Sequence, residues 1–141
     1  MRHSSQITII AEKVVPHVVV VKLNSEGIIE IEWDSSIEAI DKHHIEQTTL
    51  IIGELSGGKK MPVFVNIYSF MAVTEEARAY TTTEEAHLHT LANAVLIDNL
   101  AKKILFNFYV KYTKNSVPIK SFTTKEEAFE WLKSLQTNIT K

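Results

Sequence analysis

The chain has 141 residues, a formal net charge of −2 and no cysteine. This length predicts one domain over residues 1–141. The absence of cysteine excludes a disulfide framework, a thiol nucleophile and a thiolate metal site, and it fits a cytoplasmic location. The near-neutral charge does not favour nucleic acid or anionic membrane as a general partner. The longest apolar runs, such as Val18–Val21 and Met61–Val65, are too short for a membrane span.

Charge is distributed unevenly along the chain. Residues 1–98 carry 7 basic and 14 acidic side chains, whereas residues 99–141 carry 8 basic and 3 acidic ones, a net charge of +5. Ordinary surface variation and a basic rim around a partner or anion site both remain open.

The first third of the chain predicts a β-hairpin. Ile7–Val15 is rich in β-branched residues and is typical of an edge strand that Pro16 interrupts. His17–Leu23 predicts a second strand, followed by a turn that uses Gly27. Ile28–Trp33 alternates apolar and acidic residues, as a half-buried strand does.

The hydrophobic period then changes to that of a helix. Ser35–Glu38 has the pattern of a capping box, and apolar residues follow at helical spacing as far as Leu55. Gly57 or Gly58 is expected to end this helix as a C-cap turn. Met61–Tyr68 is mostly apolar without clean alternation, which predicts a central strand covered on both faces.

Thr74 and the two glutamates after it indicate another helix start. The threonine triplet Thr81–Thr83 predicts a break. A second helix is expected from about Thr83 to Asn93, and Ala94–Asp98 is expected to form a short strand.

Asn99–Thr113 fits both a helix and a strand, but its length and its Leu-Ala-Lys-Lys start favour a helix. One apolar face is expected to pack on the core: Leu100, Ala101, Ile104, Leu105, Phe108 and Tyr112. Phe106 and Val110 would then lie on the outer face, edged by Lys102 and Lys103. Such a surface suits a protein contact, although another segment could equally cover it.

The chain ends in a strand and a helix. Val117–Phe122 predicts the strand, Thr123–Glu127 a capping box, and an apolar stripe marks the helix: Ala128, Trp131, Leu132 and Leu135. A hairpin followed by repeated helix and strand units predicts an α/β fold with a mostly parallel sheet.

Three stretches carry a family resemblance: Gly57–Val65, Glu76–Tyr80 and Val117–Leu132. Together they resemble a bacterial family of STAS-like domains, named after the sulfate transporters and anti-sigma-factor antagonists. Some relatives of that fold are linked to CRAL-TRIO lipid-binding domains. The resemblance implies a STAS-like, mostly parallel sheet with an N-terminal β-hairpin and packed helices, and it implies little about activity.

In anti-sigma-factor antagonists, a serine in an Asp-Ser-Ser-Gly segment after a central strand is phosphorylated. The equivalent stretch, Tyr68–Glu76, lacks that segment. Ser69 and Thr74 are its nearest hydroxyls and hence the phosphorylation candidates. An N-cap role is favoured for Thr74, since the glutamates after it complement the helix dipole and would repel a phosphate.

No catalytic or metal-binding pattern is present. His87 and His89 would point to opposite sides of a helix, and no His-Glu-x-x-His motif occurs. No cofactor, metal or enzymatic activity is therefore expected. Arg78 lies near the expected carboxyl edge of the sheet, where ligands bind in open α/β folds. A salt bridge and an anion or partner contact both remain open for it.

The favoured hypothesis is a non-enzymatic regulatory or protein-interaction module that forms a homodimer through Phe106 and Val110. The alternative is a small apolar ligand or lipid-binding domain of the CRAL-TRIO type. Its pocket would be lined by C-terminal aromatic residues: Phe106, Phe108, Tyr109, Tyr112, Phe122, Phe129 and Trp131.

Overall fold

Strands and helices alternate along residues 7–66, 72–112 and 117–140, the part of the chain that this computed structural model describes. In chain order the strands are β1 (Ile9–Val15), β2 (Val19–Asn24), β3 (Ile29–Trp33), β4 (Ala39–Ile40), β5 (Met61–Asn66), β6 (Ala72–Val73), β7 (Thr90–Leu96) and β8 (Ile119–Phe122). The helices are α1 (Lys42–Ser56), α2 (Glu75–Tyr80), α3 (Leu100–Tyr112) and α4 (Lys125–Thr140).

Six strands form the main sheet in the order β1-β2-β3-β5-β7-β8. β1, β2 and β3 pair antiparallel, whereas β3, β5, β7 and β8 pair parallel. β4 and β6 make a separate two-residue parallel ladder. The predicted α/β fold, with a mostly parallel sheet and an N-terminal hairpin, is thereby confirmed.

The turn between β2 and β3 is held by a buried asparagine. The Asn24 Oδ1 atom accepts hydrogen bonds from the backbone N–H groups of Glu26 at 2.9 Å and Ile28 at 3.1 Å. Its Nδ2 atom donates to Glu30 Oε2 at 2.8 Å. Gly27 takes a positive φ of 78°, which glycine adopts without a Cβ clash. Because these bonds satisfy an amide that is fully buried, they set the hairpin register.

Two hydrophobic clusters cover the two faces of the sheet. On the α1 face, strand residues pack against Ile51 and Ile52 of α1: Val19, Val21, Ile29, Ile31, Trp33 and Val63. On the α4 face, another strand set packs against Ala128, Phe129 and Leu132 of α4: Phe64, Ala92, Ala94 and Phe122. Adjacent residues of β5 therefore serve opposite clusters, as strand geometry requires.

The start of α1 differs from the prediction. Its N-cap is Asp41, whose Oδ1 accepts from His44 N–H at 3.0 Å, while Asp41 N–H donates to His44 Nδ1 at 3.1 Å. The capping box predicted at Ser35–Glu38 is wrong because Ala39 and Ile40 are extended and paired in β4. The C-cap prediction is confirmed, since Gly57 is left-handed with φ 67°.

The helix predicted over Thr83–Asn93 is also wrong. Only a single 3-10 turn, Glu85–His87, forms there, and β7 already begins at Thr90. The reason is tertiary: Ala92 and Ala94 are fully buried on the α4 face, and the parallel ladder with β5 satisfies their backbone groups.

The capping of α1 gives a direct test of where the helix begins. Asp41→Ala removes a side-chain cap and should lower the free energy of unfolding by about 1 kcal/mol. Ser35→Ala, a change at an exposed turn residue, should stay within about 0.5 kcal/mol of the unmodified protein. Urea unfolding followed by circular dichroism measures both. The reverse order of effects would contradict the observed helix start.

Candidate functional site: a cavity on the α1 face of the sheet

A cavity of about 600 Å³ lies between the α1 face of the sheet, α1 and α3. Its floor is formed by strand residues: Ile31, Val63, Val65, Asn93, Val95 and Ile119. Its walls come from Ile45, Thr48 and Ile52 of α1 and from Leu105, Phe106 and Val110 of α3. The lining is predominantly apolar.

The strand order explains why this space is left unfilled. α1 packs against β2 and α3 packs against β8, and β3, β5 and β7 lie between those strands. With strands spaced roughly 4.8 Å apart, β2 and β8 are about 19 Å apart. Packed helices lie only about 8–10 Å apart. The two helices therefore leave a gap over the middle of the sheet.

The two ends of the cavity differ in charge. Thr90, at the start of β7, and His87, just before it, mark the amino end. Lys102 follows β7 at the carboxyl end, and Arg78 belongs to α2, which follows β6. The amino end is thus lined by groups that are uncharged at neutral pH, and the carboxyl end is cationic.

Arg78 is held at the cavity rim by the chain that precedes it. One of its guanidinium N–H groups donates to the carbonyl of Val73, and the side chain is exposed. Lys102 is exposed as well. Within the described ranges, neither side chain forms an ion pair with an acidic group. Two cations at the mouth of an apolar cavity are suited to bind an anionic group.

Tyr80 ties the helix that carries Arg78 to its surroundings. Its hydroxyl donates to Glu85 Oε2 at 3.0 Å, and Lys42 Nζ lies 5.5 Å from the ring centroid. Burial, with the hydrogen bond to Glu85, raises the pKa of Tyr80 to about 12. The phenol therefore stays protonated at neutral pH and keeps donating to Glu85.

His87 is the buried titratable group of the cavity. It is 9% exposed, and the Nζ atom of Lys60 donates to its carbonyl at 3.5 Å. Burial lowers the pKa of the imidazole below its ordinary value. A hydrogen bond with the Thr83 backbone opposes this effect, and the positive charge of Lys60 adds to it. The imidazole at the amino end of the cavity is therefore neutral at pH 7.

The helix predicted at Asn99–Thr113 is confirmed as α3, but its predicted core face is wrong. The residues expected inside are largely exposed: Leu100 69%, Ile104 60%, Leu105 68% and Phe108 62%. Phe106 and Val110, expected outside, are half-buried and line the cavity. Because apolar side chains occur all around this helix, its periodicity did not determine which side faces the sheet.

The aromatic lining predicted for a ligand pocket is mostly wrong. Phe106 lines the cavity. Phe122, Phe129 and Trp131 pack on the α4 face instead, and Phe108 is exposed. The side chains of Tyr109 and Tyr112 are outside the described part of the chain. The true floor residues were missed, although the alternation of Ile29, Ile31 and Trp33 gave a signal for that face.

The phosphorylation candidates have different outcomes. Ser69 lies outside the described residues. Thr74 is the N-cap of α2, and its Oγ1 accepts from Ala77 N–H at 3.1 Å, as the N-cap interpretation predicted. Across residues 7–66, 72–112 and 117–140, no group of three potential metal ligands converges. No helix in these ranges is long and apolar enough to cross a bilayer.

Comparison with known proteins identifies a family and a fold. The family model described as Domain of unknown function (DUF7793) matches residues 21–136. No curated protein matches the chain. The structure is similar to an uncharacterized protein of the DUF3478 family with a SpoIIAA-like fold from Shewanella loihica PV-4. The two are 14% identical with a TM-score of 0.54, over 89% of this chain and 93% of that chain.

A protein with unknown function from Arthrobacter sp. FB24 is 22% identical, over 79% of this chain and 96% of that chain, with a TM-score of 0.31. That score is too low to support an argument. The Shewanella likeness shows the fold, so the predicted STAS-like architecture is confirmed. The CRAL-TRIO link stays a prediction.

The buried His87 predicts a pH dependence of stability. Below the ordinary imidazole pKa of 6.5, the unfolded chain takes up a proton that folded His87 resists. The free energy of unfolding should therefore fall as the pH drops below 6.5, until the depressed folded pKa is reached. Urea unfolding at pH 7 and pH 5 measures this change.

His87→Gln should flatten that acid-side slope. The control is His43→Gln, a change on the exposed side of α1, which should leave the slope of the unmodified protein intact. Equal slopes in all three proteins would show that burial of His87 does not contribute.

Proposed function

The chain belongs to the DUF7793 family, and we propose that this member binds a small apolar molecule in the cavity on the α1 face. The cavity carries the proposal. Its volume of about 600 Å³ falls within the roughly 300–1,000 Å³ of small-molecule sites. Its floor and walls are mainly aliphatic side chains, which favour apolar ligands because both surfaces leave water on binding.

The polarity of the cavity indicates how such a ligand would be oriented. β7 runs beside it for 7 residues, roughly 20 Å at the rise of a strand. An apolar chain would lie along this strand, and an acidic head would reach Arg78 and Lys102 at the carboxyl end. An amphipathic carboxylate, such as a fatty acid, has this chemistry.

The proposal describes a binding module and not an enzyme. The titratable groups that line the cavity are Arg78, His87 and Lys102, and no carboxylate is among the described lining residues. A general acid and base pair would need two titratable groups placed on the reacting atoms. Arg78 donates to the Val73 carbonyl, and Lys102 is exposed at the rim. This arrangement supports retention of a ligand instead of its conversion.

A regulatory role and self-association stay predictions of the sequence. The surface for a homodimer is no longer Phe106 and Val110, because both line the cavity.

Filling the cavity should weaken binding of an apolar probe. Val65 lies on the cavity floor, and Val65→Phe places a ring in the proposed ligand volume. The dissociation constant for a fluorescent long-chain fatty acid should rise about tenfold or more, a loss of at least ~1.4 kcal/mol. Fluorescence titration of protein stripped of bound lipid measures it.

Leu96→Phe is the matched control, because Leu96 packs on the opposite face of the sheet. It adds a ring to a neighbouring central strand without entering the cavity, so the probe affinity should stay unchanged. Absence of saturable binding to the unmodified protein would refute the proposed function.

The cationic end predicts selectivity for the head of the ligand. The double variant Arg78→Gln/Lys102→Gln should weaken binding of the carboxylate probe by about tenfold at low salt. The corresponding long-chain alcohol has no charge, so its affinity should barely change. An equal loss for acid and alcohol would show that these side chains shape the cavity without recognising an anion.

A further inference from the structure

α3 exposes a continuous apolar surface on the side that faces away from the sheet. We call this surface the outer face of α3 and define it by three residues: Leu100, Ile104 and Phe108, which are 69%, 60% and 62% exposed. Their spacing puts them on one side of a helix. Clustered large apolar side chains on a protein surface mark an interaction site, whereas scattered ones need no explanation.

The charge around this surface indicates the chemistry of the partner. α3 carries Lys102, Lys103 and Lys111 and no acidic residue. An apolar helix face edged by lysines complements a surface that is negative at its boundary and apolar just beneath it.

We propose that the outer face of α3 docks on an anionic lipid bilayer. The helix lies in the plane of the membrane interface. Leu100, Ile104 and Phe108 enter the boundary between headgroups and acyl chains, and the lysines reach the lipid phosphates. No membrane span is required, and docking is reversible, because one helix face buries only a limited apolar area.

A second copy of this chain fits the surface less well. A symmetric dimer apposes the same patch of both copies, and α3 itself carries lysines and no acidic residue. Contacts between like charges are unfavourable. A negatively charged membrane removes this conflict.

The opposite side of the same helix lines the cavity through Phe106 and Val110. Docking would therefore hold the cavity beside the membrane. The docking proposal rests on the outer face and its charge, and it shares only Lys102 with the ligand proposal.

Vesicle co-sedimentation tests the proposal with the full chain. Binding to vesicles of phosphatidylcholine mixed with phosphatidylglycerol should be at least about tenfold tighter than to phosphatidylcholine alone, and it should weaken as sodium chloride is raised. Leu100→Ser/Ile104→Ser should lower binding to the mixed vesicles by at least about tenfold. The control Leu50→Ser alters a residue of α1 that is 72% exposed and should leave binding unchanged.

A second readout does not depend on loss of binding. Because the chain has no cysteine, an environment-sensitive fluorophore can be attached at Ile104→Cys or at Leu50→Cys alone. Mixed vesicles should shift the emission to the blue for the label at position 104 and leave the label at position 50 unchanged.

Three results would overturn the docking proposal. The first is no binding to the mixed vesicles, and the second is an equal emission shift at the two labelled positions. The third is a dimer, detected by light scattering, that becomes a monomer in the double serine variant, while the unmodified protein does not bind vesicles.

The fatty acid titration of the double serine variant separates the two proposals. Unchanged probe affinity with lost vesicle binding is the result expected if both hold.

Discussion

The fold depends on shielding both faces of β5 from water. This strand lies between two parallel neighbours, β3 and β7, so both of its faces must be shielded from water. α4 covers one face closely, since Phe64 packs edge-on against Phe129 with ring centroids 5.2 Å apart. On the other face, α1 and α3 pack near opposite sides of the sheet and leave Val65 and Val95 lining a cavity.

α3 has apolar residues on two sides that meet different surroundings. Its inner side closes the cavity through Phe106 and Val110. Its outer side exposes Leu100 and Ile104, and among the described residues of this helix the only charges are basic. A helix that only packs on the core carries polar residues on its solvent-facing side. The ligand and membrane proposals both follow from this helix being apolar on two sides.

Charge along the cavity is arranged by the order of the chain. The segment after α2 returns to the amino end of the sheet, where His87 becomes buried beside Lys60. Arg78 stays at the other end because its guanidinium bonds the chain that precedes α2. The cavity thus has one end that resists protonation and one that stays cationic, a difference that orients an amphipathic ligand.

The sequence by itself determined the hairpin, the order of helices and strands near both ends and the N-cap at Thr74, because these follow from local periodicity, capping and turn chemistry. The STAS-like fold was predicted from the family resemblance of three stretches. Tertiary structure alone decided that Ala92 and Ala94 belong to a strand, that Ala39 and Ile40 delay α1, and which side of α3 meets the sheet. The physical reason is that each of these outcomes depends on a neighbour distant in the chain. For α3, apolar residues lie on both sides of the helix, so the local hydrophobic pattern fits either orientation. Its packing against β8 and the cavity decides which side faces the sheet.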